Sequence, residues 1–293
     1  LFADIDPDTI NMSPVALKEL LSKNSNIQAI IPVHFAGLPC DMASIKALAD
    51  NVGAIVIEDA AHALGAVYPC GNRVGSCKNS LMTIFSFHPV KAIAAGEGGM
   101  ITTNDELVYR HLLRLRSHGI NKLDDPLILS NQAFSEGMKN PWYYEMQELG
   151  YNYRLTDFQA ALGLSQLKRA TSALEKRKEI VKFYEESFKG NLFIKKLPGY
   201  VEGHAYHLYV IEVLEKRKEL VDYLRQQNIF AQIHYIPAHL MPYYKQLGYK
   251  LGDYPESESY YCDCLSLPMF PTLTSEEQEY VISTVVNFFN NRS

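Results

Sequence analysis

The chain has no excess of positive charge and no long apolar run. Its 293 residues include 28 lysines and arginines against 33 aspartates and glutamates, so the net charge is −5 at pH 7. The two signs are interspersed, and nucleic-acid binding needs a clustered basic surface, so nucleic acid is not an expected partner. No stretch of about 18 apolar residues is present, so the sequence predicts no membrane-spanning helix.

The five cysteines are too few and too scattered to indicate a disulfide framework. An odd number at irregular spacing is typical of a reducing compartment, so we expect a cytoplasmic protein. Cys262 and Cys264 have no second pair nearby, and their spacing indicates small residues on a helix rather than a zinc site. His207 and His234 fall on separate predicted strands without carboxylate partners, so no metal site is predicted.

The length and composition are those of a globular protein. Apolar residues make up 47% of the chain and charged residues 21%, and 293 residues are enough for a large core and more than one domain. The opening residues have no basic region, so no signal peptide is expected there. Because the chain opens on Leu1 in a strand-like run, we expect it to be part of a longer protein.

Apolar runs alternate with amphipathic segments through the first third of the chain. The predicted strands cover residues 1–6, 27–35, 54–60, 81–87 and 99–104. Three helices are predicted. The first begins at Ser13 and Pro14, which are typical of a helix N-terminus. The other two cover residues 41–52, with Asp41 as N-cap, and residues 104–119. This alternation predicts an α/β sheet covered on both faces, in which ligands bind beyond the carboxyl ends of the strands.

The rest of the chain has a different organisation. Residues 121–147 form a predicted long loop, and a long helix is predicted over residues 156–188. The later segments are predicted strands at 206–213, 229–237 and 262–270 and predicted helices at 216–228 and 274–291. We place a boundary near residue 170, which gives a large domain over residues 1–170 and a small domain over residues 171–293.

Four polar side chains follow the ends of two predicted strands. Asp59 ends a buried strand, where a carboxylate costs several kcal/mol unless a cation meets it. His62 lies three residues later, and a helical turn would place it on the same side as Asp59. Ser86 ends the next strand, and Lys91 follows in a turn bounded by a proline and a cluster of glycines.

This set of residues predicts a site for an aldehyde cofactor. Lys91 can bond to a carbonyl if burial lowers its pKa, and Asp59 would pair with a protonated pyridine nitrogen. Ser86 would bind a phosphate, and His62 would lie near the edge of the ring. Glu58 precedes Asp59 directly and should point to the opposite face of the strand.

Each of these residues has a structural alternative when it is taken alone. Lys91 by itself is typical of a surface lysine in a turn, Asp59 of a helix cap, and His62 of a hydrogen-bonded core histidine. The order of the residues along the chain, at neighbouring strand ends and ahead of the glycines, favours the cofactor site.

Four longer motifs carry a family resemblance. They are "IEDAAHALGA", "TIFSFHPVKAIAAGEGGMITTND", "ELGYNYRLTDFQAALGLSQLKR" and "QIHYIP". With these motifs the chain resembles the DegT/DnrJ/EryC1/StrS family of pyridoxal-phosphate sugar-nucleotide aminotransferases over essentially its whole length. The resemblance implies the aspartate-aminotransferase fold (fold type I): a large α/β domain with a mostly parallel sheet and a smaller C-terminal α/β domain.

The resemblance also implies roles for the cofactor residues. Lys91 would bind pyridoxal phosphate covalently, Asp59 would face the pyridine nitrogen, and Ser86 would bind the phosphate. Asn152 would reach the phosphate of the neighbouring subunit's cofactor, so the family pattern implies a homodimer with shared active sites.

Further residues would bind the sugar nucleotide according to the same resemblance. Gln232, His234 and Tyr235 of "QIHY" would contact it, and Arg154 would meet its diphosphate, with a structural salt bridge as the alternative for Arg154. "SFHPVK", "GYNYRL", "QIHY" and a histidine at position 62, where many relatives carry glutamine, resemble the pseudaminic acid branch of the family. This branch uses L-glutamate and a UDP-linked 4-keto-6-deoxy sugar with an acetamido group.

Two alternatives stay open from the sequence. A sugar dehydratase of the same fold carries histidine in place of the reactive lysine, and here Lys91 favours transamination over that reaction. The second alternative is a truncated domain that only dimerises or regulates. The family begins upstream of Leu1 with a phosphate-binding turn and an aromatic residue that stacks on the ring, so we expect the chain alone to bind cofactor poorly.

Overall fold

The predicted strands in the first part of the chain form a four-stranded sheet. The structure is a computed structural model that describes residues 1–121 and 126–290. The strands lie in the order β1 (Ala29–Ile30), β2 (Ile55–Asp59), β3 (Met82–Ser86) and β4 (Gly99–Thr102). The first three are parallel and β4 is antiparallel to β3, so the predicted mostly parallel sheet is confirmed.

Helices with side-chain caps pack beside this sheet. They are α1 (Pro14–Lys23), α2 (Met42–Val52) and α3 (Glu106–Arg116). The Ser13 hydroxyl accepts a hydrogen bond from a backbone N–H of α1, and the Asp41 carboxylate does the same for α2, as the sequence predicts. Helices α1 and α2 supply Leu17, Ile45 and Ala49 to the core under the sheet.

A second, antiparallel sheet lies in the C-terminal part of the chain. Its strands are β7 (Ile194–Lys196), β8 (Tyr209–Val213) and β9 (Cys264–Leu267), in that order. Three helices pack against it: α6 (Ala170–Phe188), α7 (Arg217–Gln226) and α10 (Ser275–Asn290). Tyr184, Tyr209, Leu224 and Val285 are fully buried in the core between them.

The remaining described elements are short and lie both within the predicted loop and elsewhere in the chain. These are α4 (Ser130–Ala133), the hairpin β5 (Phe134–Ser135) and β6 (Met138–Lys139), α5 (Asp157–Leu167), α8 (Pro242–Lys245), α9 (Pro255–Asp263), and 3₁₀ turns at Phe35–Gly37 and Ala238–Leu240. Within the described residues, no helix combines the length and the apolar composition that a membrane span requires.

Several predicted elements differ from the structure. The predicted strand at residues 1–6 is reduced to a single bridge between Ile5 and Met12, and the segment 229–237 to one bridge between Gln232 and Ser266. Only Ala29–Ile30 of the predicted strand at 27–35 is a strand. The predicted helix at 156–188 is two helices, α5 and α6, separated by a turn in which the Arg169 N–H donates to the Gln166 carbonyl, three residues back instead of four.

Candidate active site

Lys91 lies in a loop that joins β3 to β4 and closes on itself. Ser86 and Gly99 pair where the two strands begin to separate. The Phe87 N–H donates to the Gly98 carbonyl at 2.8 Å, and the Ala95 N–H donates to the Phe87 carbonyl at 2.9 Å. Within the loop, the Lys91 N–H donates to the His88 carbonyl at 2.9 Å. The loop therefore holds Lys91 at the carboxyl end of β3.

Asp59 and Ser86 end neighbouring strands at the same edge of the sheet. The register pairs Asp59 with Ile84, so Ser86 lies two residues farther along β3. The Ser86 hydroxyl accepts a hydrogen bond from the His88 N–H at 3.3 Å, which leaves its own proton available to a ligand. The predicted juxtaposition of these side chains at one sheet edge is therefore present in the structure.

The Lys91 ammonium is half-buried, and its electrostatic environment is mixed. Burial lowers the pKa of Lys91 below its ordinary value, and the charge of Asp59 acts in the opposite direction. The Lys91 amine is therefore not fully solvated, as the surface-lysine alternative would require. Lys91 and Asp59 interact across the sheet edge, as the cofactor site requires.

His62 and His207 form a buried imidazole pair beside Lys91. Their ring centroids are 4.4 Å apart, and each side chain is 7% exposed. Burial lowers the pKa of His62 to about 3 and that of His207 to about 2, and the charge of Lys91 acts in the same direction on both. The Nδ1 atoms of both rings are buried and have no hydrogen-bond partner among the described residues.

The segment 204–207 is held in place by contacts from both parts of the fold. The buried Arg177 guanidinium donates to the carbonyls of Tyr206 and His207 at 3.1 Å each. The His207 N–H donates to the Ala36 carbonyl at 2.8 Å. A Cβ on Gly37 would lie 2.9 Å from the His62 carbonyl, so only glycine allows this approach. These contacts therefore fix the position of His207 relative to His62.

The "QIHY" segment brings the C-terminal part of the chain to the same site. The His234 ring lies 2.8 Å from the Ser266 hydroxyl through Nδ1, and burial followed by the charge of Lys91 lowers its pKa. The Tyr235 hydroxyl lies 3.4 Å from His62 Nε2. Gln232 is exposed, and its backbone pairs with Ser266. The structure thus brings His234 and Tyr235 close to His62, and their contact with a sugar nucleotide stays a prediction.

Asn152 and Arg154 lie apart from this cluster, immediately before α5. Both residues are exposed, and neither side chain forms a hydrogen bond or ion pair with another described residue. The salt-bridge alternative for Arg154 is therefore absent from the described part of the chain. Their predicted roles in a neighbouring subunit's site stay predictions.

The sequence interpretation missed two residues of the site. His207 was considered only as a metal ligand, and Arg177 was not singled out on its charged helix. The only local sign of His207 is "HAYHLY", in which the histidine lies two residues before a buried strand, and this sign does not indicate its approach to His62. In the described residues, no three His, Cys, Asp or Glu side chains are grouped as a metal site would need, and all five cysteines are free.

These residues fit pyridoxal phosphate. The acid Asp59 faces an amine, Lys91, whose pKa is lowered by burial, and this pair suits a cationic ring with an aldehyde. The two unpartnered imidazole nitrogens lie beside the same amine, where buried polar atoms otherwise carry partners.

Comparisons with known proteins show the family of the chain. The model of the DegT/DnrJ/EryC1/StrS aminotransferase family matches residues 1–286. The spore coat polysaccharide biosynthesis protein SpsC of Bacillus subtilis is 40% identical over 97% of this chain and 72% of its own length.

Solved structures of aminotransferases have the same fold. Helicobacter pylori PseC, an aminotransferase of pseudaminic acid biosynthesis, superposes with a TM-score of 0.88 at 31% identity, over 99% of this chain and 74% of its own. The PMP form of the putative sugar aminotransferase Spr1654 of Streptococcus pneumoniae superposes with a TM-score of 0.86 at 28% identity, over 99% and 76%. The chain therefore belongs to the DegT/DnrJ/EryC1/StrS aminotransferase family and is a sugar aminotransferase of fold type I that depends on pyridoxal phosphate.

Proposed function

We propose that the protein transfers the amino group of L-glutamate to C4 of a UDP-linked 4-keto-6-deoxy sugar that carries an acetamido group. This reaction belongs to the synthesis of pseudaminic acid or a related nucleotide sugar. The observation that carries the proposal is the half-buried Lys91 amine, whose pKa is lowered beside Asp59 and the imidazole pair. The similarity to PseC supports the choice of sugar.

Five residues would hold the cofactor. Asp59 would keep a proton on the ring nitrogen, Ser86 would donate to the phosphate, and His62 would contact the ring edge. Lys91 would bind the cofactor covalently, and Asn152 of a second subunit would reach the cofactor phosphate. When bound, pyridoxal phosphate supplies an aldehyde for Lys91 and a ring that accepts electrons.

Lys91 moves the proton in both halves of the reaction. With the cofactor bound, the neutral Lys91 amine would take the proton from the α-carbon of glutamate in the first half. In the second half, the protonated Lys91 would deliver a proton to C4 of the sugar and return to the neutral form. Burial makes the neutral amine available at lower pH than in water, which is the property that a general base needs.

Residues from the C-terminal part of the chain would select the sugar nucleotide. Gln232, His234 and Tyr235 approach the site beside His62, and Arg154 would meet the diphosphate. Exposure of Asn152 and Arg154 supports a homodimer in which each site takes residues from both chains. We place the division between the two domains near residue 170, at the start of α6.

The test is a panel of sugar nucleotides with the full-length protein. UDP- and dTDP-linked 4-keto and 3-keto sugars are incubated with L-glutamate, and the products are identified by mass spectrometry. We expect a UDP-linked 4-amino sugar and equimolar 2-oxoglutarate, and neither product with Lys91→Ala. Lys46→Ala, which changes an exposed lysine on α2, serves as the control and should retain turnover.

Two results would contradict the proposal. Loss of water from the sugar without consumption of glutamate would indicate the dehydratase alternative. Retained amino transfer by Lys91→Ala would remove the lysine from its proposed role.

A further inference from the structure

Glu58 is a buried carboxylate directly next to Asp59 in β2. Its side chain points away from Asp59, as the strand alternation predicts, and is 1% exposed. Four side chains donate hydrogen bonds to it: His34, Tyr68, Ser80 and Thr83. Burial acts to raise the pKa of Glu58, but these donors hold it below its ordinary value. Glu58 is therefore an ionised group inside the fold.

The donors to Glu58 are neutral. The Cys40 N–H donates to His34 Nδ1 at 3.0 Å, so the proton of this imidazole is on Nε2. His34 Nε2 then donates to the Glu58 carboxylate at 2.8 Å. Because His34 is neutral, hydroxyl and imidazole dipoles hold the negative charge without an opposing cation within the network. Such a buried network keeps its side chains in one arrangement only while every polar group in it has a hydrogen-bond partner.

The same network anchors the backbone around Asp59. The His34 N–H donates to the Asp59 carbonyl at 3.0 Å, and the Asp59 N–H donates to the Pro32 carbonyl at 2.9 Å. Thr83, which donates to Glu58 at 3.0 Å, is also its register partner on β3. The Glu58 network thus ties β3 and the segment that follows β1 to the strand end that carries Asp59.

We propose that Glu58 is a positioning residue that fixes the Asp59 carboxylate opposite the ring nitrogen of the cofactor. This inference rests on the proposed role of Asp59. Hydrogen bonds weaken steeply with misalignment. A fixed backbone at Asp59 would therefore keep the hydrogen bond between its carboxylate and the ring nitrogen aligned, whereas a mobile backbone would weaken it. The contribution of Glu58 should therefore appear only in the part of the affinity that depends on the ring nitrogen.

Glu58→Gln is a suitable variant because it keeps the shape and removes the charge. The amide oxygen can accept from His34 and Tyr68, and the amide N–H groups can donate to the hydroxyls of Ser80 and Thr83, which rotate to accept. The variant is therefore expected to fold. Thr83→Val provides a second variant, because it removes one donor and keeps the carboxylate.

A matched control lies in the C-terminal part of the chain. Glu258 on α9 accepts a hydrogen bond from the buried His239 Nε2 at the same distance, 2.8 Å. Glu258→Gln makes the same chemical change in a similar histidine–carboxylate pair on an element that does not carry Asp59.

The experiment measures calorimetric dissociation constants of pyridoxamine phosphate and its 1-deaza analogue, which has carbon in place of the ring nitrogen. The full-length wild-type protein should prefer pyridoxamine phosphate, and Asp59→Asn should abolish the preference. Glu58→Gln should reduce it by about fivefold or more, and Thr83→Val by about threefold. Glu258→Gln should change it by less than about twofold.

The outcomes separate the two proposals. If Asp59→Asn abolishes the preference but Glu58→Gln leaves it unchanged, or weakens both ligands equally, Glu58 is structural only and the inference is overturned. If Asp59→Asn leaves the preference unchanged, the role proposed for Asp59 fails and this inference fails with it.

Discussion

Three buried histidines link the stability of the fold to pH at the scale of single residues. Burial lowers the pKa of His62 and His204 to about 3 and that of His207 to about 2. Each ring is therefore neutral in the folded protein. The unfolded chain binds these protons below its ordinary histidine pKa, near 6.5. The free energy of unfolding must then fall as the pH drops below about 6.5.

We predict that His207→Phe weakens this acid sensitivity. Each such histidine contributes a slope of about 1.4 kcal/mol per pH unit, so removing one of the three should reduce their combined slope by about a third. Urea unfolding between pH 5 and 7 measures the slope. His88→Phe, which changes an exposed ring, should leave it unchanged. An equal slope for wild type and His207→Phe would contradict the assignment of this proton.

The sequence predicted the relative position of those site residues that lie at the ends of predicted neighbouring strands. Asp59 and Ser86 end parallel neighbours, so their proximity follows from the topology alone. His207 could not be located in this way, because its approach to His62 depends on Gly37 and Arg177, which lie far from it in the chain. Contacts between distant segments leave no local pattern in the sequence.

At the scale of elements, the β3–β4 loop depends on close backbone packing where the strands meet. A Cβ on Gly99 would lie 2.6 Å from the Phe85 carbonyl oxygen, which the sheet holds in place. We predict that Gly99→Ala lowers the free energy of unfolding by about 2 kcal/mol or more and displaces Lys91. Thermal unfolding and borohydride trapping of pyridoxal phosphate on Lys91 measure the two effects.

Gly96 in the same loop provides the comparison. A Cβ there meets no atom within 4 Å, so Gly96→Ala carries only the cost of its left-handed backbone, about 1 kcal/mol. Equal losses for the two variants would show that close packing at Gly99 is not the determining factor.

Local signals predicted the helix ends better than the helix interiors. The caps at Ser13 and Asp41 follow from residue type and are confirmed. Thr274 and Glu277 also exchange the hydrogen bonds of a capping box before α10. The break between α5 and α6 carries no glycine or proline, so nothing in the local sequence indicates it. It reflects the packing of α6 alone against the C-terminal core.

At the scale of the whole molecule, α5 carries apolar residues on several sides and has no buried residue. Phe158 is 92% exposed and Leu164 is 58% exposed. An apolar helix of this kind is normally covered, and α5 directly follows Asn152 and Arg154, the residues proposed to serve a second chain. We infer that a second copy of the chain covers α5.

We predict that Phe158→Asp shifts a dimer to monomers. Burying a full aromatic side chain contributes about 2 kcal/mol or more per copy, and a buried charge would reverse this gain. Sedimentation equilibrium measures the change in dissociation constant. Leu192→Asp is the control, because Leu192 is equally exposed, at 91%, but lies in the turn between α6 and β7 and not on α5. A wild-type monomer, or equal effects of both substitutions, would contradict this prediction.

Because the segment 229–237 pairs with β9, the residues proposed to select the sugar and the reactive Lys91 amine are positioned by different parts of the fold. The reactive amine is positioned by its own loop, whereas His234 and Tyr235 are positioned by contacts around Ser266. Under the sugar-binding role proposed for His234 and Tyr235, we expect mutations around Ser266 to alter which sugar is accepted while the amine keeps its reactivity. Libraries aimed at new sugars are best restricted to the contacts around Ser266, since diversity there is least harmful to turnover.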